Sequence, residues 1–176
     1  ICVQTHFSLT IWKKGFGCHC KKPIRESHGK QFNASVNGDD VKMLNEEQIW
    51  QMVDLKKTEF IALSDRVFDT PETLYNEYAS VAEHVKTLKS EGFRVTEGIC
   101  GMPTAVMGEA GDKGPVIAIL GEFDALPELS QAPGVAEPSP IEAGGNGHGC
   151  GHNLLGAASL LAATAVKDWL TENGIL

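Results

Sequence analysis

Two short segments carry residues whose types and spacing suit metal chemistry. Glu122 and Asp124 directly follow an apolar run, and His148, Cys150 and His152 are separated only by glycines. Thiolate and imidazole groups are good ligands for first-row metals, and glycine allows backbone conformations that let closely spaced ligands converge. Carboxylates just beyond a central strand lie where open α/β sheets bind their ligands. Together the two segments predict a metal site.

The glycine-rich segment also has other interpretations. A phosphate-binding loop is excluded, because no Gly-Lys-Ser/Thr follows the glycines and no placement satisfies Gly-x-Gly-x-x-Gly. A nucleophilic Cys150 activated by His148 or His152 stays open, although no other residue obviously orients such a base. A glycine-rich hinge with incidental histidines stays open as well.

Helices and strands alternate along the part of the chain that carries these segments. Apolar residues recur at helical spacing within residues 49–67 and again within 78–88, and Thr70-Pro71 predicts the start of the second helix. Strands are predicted at residues 93–96, 104–107 and 115–120. The last of these is a continuous apolar run, which is typical of a central strand buried on both faces. A helix over residues 153–170 is apolar on most sides and must be covered by other structure. This order of elements predicts an α/β fold.

Composition divides the chain near residue 42. Residues 1–42 carry a net charge of +4 and residues 43–176 a net charge of −12. The first stretch has no sustained period, and we expect it to be a disordered or artefactual extension. Its Cys18-His19-Cys20 motif, with His6 and His28 nearby, fits a zinc knuckle poorly, because structural zinc sites space paired cysteines by two to four residues.

The overall composition excludes several classes of protein. With 42% hydrophobic and 22% charged residues in 176, the chain is neither collagen-like nor wholly disordered. An acidic chain without a basic stripe is not expected to bind nucleic acid, and no apolar run is long enough to span a membrane. Five cysteines without a disulfide-scaffold spacing, and no signal-peptide pattern, favour a reducing cytoplasmic location.

The two chemical segments resemble metallopeptidase family twenty, and within it the amidohydrolase branch. The motifs that carry the resemblance are Gly-Glu-Phe-Asp-Ala-Leu-Pro at residues 121–127 and Gly-His-Gly-Cys-Gly-His-Asn-Leu-Leu-Gly at residues 147–156. The likeness begins at about Leu44 and does not extend into residues 1–42. It implies a hydrolase that uses a divalent metal, zinc or manganese, as one or two ions. The expected small-molecule substrates are N-acyl or N-aroyl amino acids, as for an amidohydrolase or a metallocarboxypeptidase.

The resemblance also implies a role for each site residue. Cys150 and His152 correspond to metal ligands, and Asp124 to the aspartate that supports catalysis. Glu122 stands where other family members have a metal-binding histidine, whose absence is usual for this branch. Glu122 and His148 are expected to orient the site without binding the metal.

The implied fold is the N-terminal part of a layered α/β/α, zinc-exopeptidase-like catalytic domain in residues 43–176. The resemblance places the later strands, the general-base glutamate pair and a lid or dimerisation domain outside this sequence, and full-length members are expected to be oligomeric. Glu128, Glu137 and Glu142 do not match the missing pair. We therefore expect little hydrolysis by this chain alone. The alternative is a non-catalytic fragment that binds a metal weakly or associates with another subunit.

Overall fold

The structure is a computed structural model that describes residues 2–5, 38–112 and 114–176, with side chains from residue 46 onward. Its elements in chain order are β1 (Cys2–Thr5), α1 (Gly38–Phe68), α2 (Tyr78–Ser90), β2 (Arg94–Glu97), a 3-10 turn (Ile99–Gly101), β3 (Val106–Glu109), β4 (Ala118–Gly121) and α3 (His152–Glu172). The predicted α/β class is confirmed. Among the described residues, no helix combines the length and apolar character needed to cross a membrane.

The four strands form one mixed sheet in the order β2-β3-β1-β4. Strand β1 pairs antiparallel with β3 and parallel with β4, so its backbone joins the β2–β3 hairpin to β4. This pairing differs from the expectation for residues 1–42, because residues 2–5 lie inside the sheet. The Cys18-His19-Cys20 motif and its neighbouring histidines lie outside the described residues.

The prediction that the run 115–120 is buried on both faces is wrong. Val116 and Ile117 are 82% and 59% exposed, and Leu120 is also exposed. The reason is that Val116 and Ile117 precede β4, and β4 itself buries only one of its two faces. Helix α3 packs against the face of β4 that carries Gly121, whereas Leu120 on the opposite face is exposed to solvent.

Three helices supply most of the core. Helix α2 packs on β2 and β3, α3 packs on β1 and β4, and α1 lies across α2 and α3. The buried apolar residues at these contacts include Phe60, Leu63, Val67, Val85, Leu88, Phe93, Val106, Phe123, Ala157, Leu160 and Ala163. The periodicity that predicts α1 packs here through Phe60, Leu63 and Val67, since an amphipathic helix buries its apolar stripe. Helix α3 is covered less than expected, because Leu154 and Leu155 are 63% and 43% exposed.

The predicted helix start at Thr70-Pro71 is wrong, because α2 begins at Tyr78. The Thr70 side chain closes the preceding helix instead, with its hydroxyl donating to the Arg66 carbonyl at 3.2 Å. The residues after Pro71 run beside the chain that follows β4, where Thr73 forms a parallel bridge with Ala125. A threonine-proline pair therefore ends one helix here without starting the next.

A partly buried ion pair joins the three helices at the end of the molecule that carries Glu91. Lys56 Nζ of α1 lies 2.6 Å from Glu91 Oε2, after α2, and 3.4 Å from Asp168 Oδ2 of α3. Burial lowers the pKa of Lys56, but the two carboxylates raise it more, so that its pKa lies above the usual 10.5.

A Lys56→Met variant is expected to lose about 1.5 kcal/mol of unfolding free energy, because the Glu91 carboxylate, 8% exposed, loses its charged donor. Urea unfolding at pH 7 measures the loss. Lys57→Met is the matched control, since Lys57 pairs with Asp54 in solvent and such pairs contribute about 0–1 kcal/mol. Equal losses for the two variants would contradict the role given to Lys56.

Candidate metal centre

The end of β4 directs two carboxylates to one side of the chain. After Gly121 the backbone continues through Glu122, Phe123 and Asp124, and successive side chains of an extended segment point to opposite faces. Phe123 is buried in the core at 3% exposure, whereas Glu122 and Asp124 are only partly buried. The phenyl ring thus anchors the segment in the core and leaves both carboxylates on the side facing away from the core.

The first residue of α3 brings an imidazole to these carboxylates. His152 Nδ1 lies 2.7 Å from Asp124 Oδ1, and His152 Nε2 lies 3.2 Å from Glu122 Oε2. One ligand atom from each of the three side chains lies within 4.8 Å of the others. A neutral imidazole carries one N–H and can donate to only one carboxylate, so a cation between the other nitrogen and the facing carboxylate would satisfy both.

The donor set fits a divalent metal. Imidazole and carboxylate groups are ordinary ligands of zinc and manganese. A metal-binding histidine usually keeps its second ring nitrogen on a carboxylate, and the 2.7 Å contact between His152 and Asp124 provides that arrangement. The strand-end carboxylates and the glycine-rich segment, which are predicted from the sequence to act together, therefore meet in the described part of the chain.

Cys150 is exposed and lies outside this group of three. Its role as a ligand beside His152 stays a prediction from the family resemblance. Glu122 contributes an atom to the group, and its orienting role also stays a prediction from the resemblance. Among the described residues, Glu122, Asp124 and His152 thus converge, with Cys150 two residues before the imidazole.

His148 fixes the glycine-rich segment to the end of α1. Its Nε2 donates to the Val67 carbonyl at 3.1 Å, and its ring stacks on Phe68 with centroids 6.2 Å apart. Because Nε2 carries the hydrogen, Nδ1 is the bare nitrogen, and it is buried without a partner. Burial lowers the pKa of His148. These contacts fix the segment on α1, and the orienting role of His148 at the metal stays a prediction.

Two asparagines make the same connection, and the sequence did not single them out. Asn146 Nδ2 donates to the Pro71 carbonyl at 3.1 Å, and Asn153 Nδ2 donates to Ser64 Oγ at 3.0 Å. Pro71 follows the end of α1 and Ser64 lies near that end, so both bonds hold the glycine-rich segment at this end of the helix. In the sequence, only the position of these two amide side chains in or beside the glycine-rich segment could have indicated their role.

Glycine is required at position 147 because a side chain would collide with another backbone. A Cβ at Gly147 would lie 1.9 Å from the Leu129 carbonyl oxygen. The same residue exchanges two 3.0 Å backbone hydrogen bonds with Leu126, which hold the glycine-rich segment beside the chain leaving the carboxylates.

A Gly147→Ala variant is therefore expected to lose about 3 kcal/mol of unfolding free energy and to bind metal poorly. Urea unfolding and Zn²⁺ titration measure the two effects. Gly149→Ala is the control, because a Cβ at Gly149 would meet only the flexible end of the Leu129 side chain, at 2.7 Å. If both variants were equally stable, the close approach at Gly147 would not constrain the fold.

Comparison with known proteins gives relatives of one kind. The chain is 42% identical over 132 residues to one of the subunits of p-aminobenzoyl-glutamate hydrolase from Escherichia coli (strain K12), a match that covers 73% of this chain and 27% of the relative. It is 36% identical over 117 residues to thermostable carboxypeptidase 2 of Saccharolobus solfataricus, covering 61% of this chain and 29% of the relative. It is 29% identical over 135 residues to N-acetyl-L-cysteine deacetylase of Bacillus subtilis (strain 168), covering 76% and 31%.

The chain thus spans between a quarter and a third of the length of these relatives. No protein-family model matches it. The names of the relatives describe a hydrolase, a carboxypeptidase and a deacetylase, in agreement with the resemblance of the two motifs. Over its matched part, the chain belongs to the amidohydrolase branch of metallopeptidase family twenty.

Proposed function

We propose that this chain is part of a metal-dependent amidohydrolase that cleaves the amide bond of N-acyl or N-aroyl amino acids, such as p-aminobenzoyl-glutamate. The observation that carries the proposal is the convergence of Glu122, Asp124 and His152 between the end of β4 and the start of α3. The relatives support it, since their names include a p-aminobenzoyl-glutamate hydrolase and an N-acetyl-L-cysteine deacetylase.

In this proposal each side chain has a stated task. His152 and Cys150 hold the metal, and Asp124 fixes the orientation of the His152 ring through the 2.7 Å contact with Nδ1. Glu122 lies beside Nε2, the ring nitrogen left for the metal, so that it either flanks the metal without binding it or joins the ligands in place of Cys150. When bound, a zinc or manganese ion supplies a polarised carbonyl and an activated water molecule.

The orienting role of His148 extends to the whole glycine-rich segment. Its bond to the Val67 carbonyl fixes the segment on α1 two residues before Cys150. A reducing, cytoplasmic location is part of the proposal, because Cys150 must stay a thiol or thiolate to bind metal. Cys150 is a free cysteine in the described part of the chain.

The test has two measurements. Calorimetric titration of the metal-free chain with Zn²⁺ and Mn²⁺ is expected to show binding of one or two ions. The second measurement follows the release of p-aminobenzoate from p-aminobenzoyl-glutamate by the complete amidohydrolase of which this chain is proposed to be part. This release is expected to stop with a chelator and to return with either metal. The 176-residue chain alone is expected to release little. Hydrolysis that survives metal removal but not alkylation of Cys150 would favour the cysteine-nucleophile alternative.

A second candidate function is association with another subunit, without catalysis by this chain. The exposed apolar side chains Val116, Ile117 and Leu120 on and before β4 favour it. Sedimentation of the purified chain tests this candidate. A monomer at all concentrations would count against association, and a concentration-dependent oligomer without metal binding would count against the catalytic proposal.

A further inference from the structure

His84 lies directly beneath the segment that carries the two carboxylates. It is fully buried on α2, and its ring stacks on Phe123 with centroids 4.5 Å apart and an interplanar angle of 29°. Phe123 stands between Glu122 and Asp124 in sequence and points the opposite way. The contact that holds the phenyl ring inward therefore also sets the direction of the carboxylates.

The orientation of the His84 ring is itself fixed. Its Nδ1 donates to the Ser80 carbonyl at 2.9 Å, one helical turn earlier. Ser80 is held by the Glu72 carboxylate, which accepts from the Ser80 amide at 2.8 Å and from its hydroxyl at 2.9 Å. The Glu72 carbonyl in turn accepts from the Ala125 amide at 2.7 Å. These contacts form a closed circuit that begins and ends on the segment 122–125.

Besides Phe123 and Ser80, the His84 ring also faces α3. A Cβ at Gly156 would lie 2.7 Å from His84 Nε2 and 2.8 Å from the Glu122 carbonyl oxygen. The ring thus fills the space where α2, the end of β4 and α3 meet. Nε2 is buried without a hydrogen-bond partner, which an apolar residue of similar size would avoid.

We propose that His84 is a positioning residue for the metal centre: its stack on Phe123 holds Glu122 and Asp124 toward His152. His84 itself touches neither the metal nor the substrate. The proposal rests on the proposed function in so far as these carboxylates serve a metal, and the first experiment tests that directly.

The first experiment titrates Co²⁺ into the full metal-free chain by calorimetry. His84→Leu keeps an apolar side chain of similar size but loses the ring and the bond to Ser80, and it is expected to bind Co²⁺ about tenfold more weakly. His84→Phe keeps a ring on Phe123 and is expected to stay within about threefold of the wild type. Leu88→Ala, a core truncation on the same helix, lowers stability and is expected to leave the affinity unchanged. Affinity equal for His84→Leu and the wild type would overturn the proposal.

The second experiment needs no metal. Hydrogen exchange of the peptide covering residues 121–126 reports the Ala125 amide, which bonds to Glu72, and the Leu126 amide, which bonds to Gly147. Faster exchange in His84→Leu, with wild-type exchange in His84→Phe and Leu88→Ala, is the expected result. If the wild type binds no Co²⁺, the proposed function fails, and this measurement alone decides whether His84 positions the segment. Unchanged exchange in His84→Leu would overturn the positioning role.

Discussion

An Asp124→Asn variant is expected to bind Zn²⁺ about 10–100 times more weakly than the wild-type chain. The aspartate carboxylate lies 2.7 Å from His152 Nδ1 and is largely buried, so that its charge acts on the imidazole with little screening by solvent. An amide of the same shape keeps the packing but removes the charge that fixes the ring and raises its basicity as a ligand. Calorimetric titration of the metal-free proteins measures the difference.

Asp65→Asn is the matched control, because it removes the same charge from an exposed position on α1. Its Zn²⁺ affinity is expected to stay within about twofold of the wild type, since exposed charges are screened over a Debye length of about 10 Å. Wild-type affinity in Asp124→Asn would show that the contact with His152 does not serve a metal.

The same titration separates the two candidate ligand sets. Glu122→Gln weakens binding strongly if the three side chains that converge in the structure are the ligands. Cys150→Ser weakens it strongly if the ligand pair implied by the family resemblance is correct. Losses of similar size in both variants would indicate that a bound metal draws Cys150 into the group.

The parts of the fold that can be predicted from sequence are those with a local cause. Helix α3 is predicted over residues 153–170 and occupies His152–Glu172, because a long apolar period follows a run of glycines. The convergence of Asp124 with His152 follows from a general property of α/β sheets, whose ligands lie beyond the strand ends.

The parts that could not be predicted depend on distant contacts. The first turn of α2 is capped by Glu72, which lies outside the helix and bonds to the amides of Ala79 and Ser80, so a search for a local capping residue selects Thr70 instead. No motif identifies residues 2–5 as the strand between β3 and β4. The apolar run before Gly121 has the composition of a central strand. Hydrophobicity alone does not distinguish an edge strand from an interior one, so the prediction of a central strand was wrong.

In the candidate site, too, some features have a local cause and others depend on distant contacts. Residue types identify the candidate ligands, but the anchors of the glycine-rich segment depend on its contact with the end of α1. His148 reaches Val67 across 81 residues, and Asn153 reaches Ser64 across 89. Periodicity and spacing describe neighbours within about two helical turns and carry no information on such pairs.

Acidification is expected to destabilise the metal-free chain through His84. Burial is the main cause that lowers the pKa of His84, from its usual 6.5 to about 4. The hydrogen bond to Ser80 and the charge of Glu83 oppose this shift in part, and the charge of Arg66 adds to it. In the unfolded chain the imidazole is exposed and takes up a proton near pH 6.5.

The sign follows from proton linkage. Below pH 6.5 the unfolded chain binds a proton at His84 that the folded chain does not, so the free energy of unfolding falls as the pH falls. Each pH unit costs about 1.4 kcal/mol, which amounts to about 2 kcal/mol at pH 5 and about 3 kcal/mol near pH 4, where the folded protein also becomes protonated. Above pH 7 the contribution is complete and constant.

Urea unfolding between pH 7.5 and 4.5, with a chelator present, measures this dependence. His84→Leu has no group to protonate at this position and is expected to lose about 2 kcal/mol less than the wild type between pH 7.5 and pH 5. Carboxylates and His148 titrate in both proteins, so their effects cancel in the difference. Parallel pH profiles for the two proteins would mean that solvent reaches His84 in the folded state, and a ring open to solvent could not hold Phe123 beneath the carboxylates.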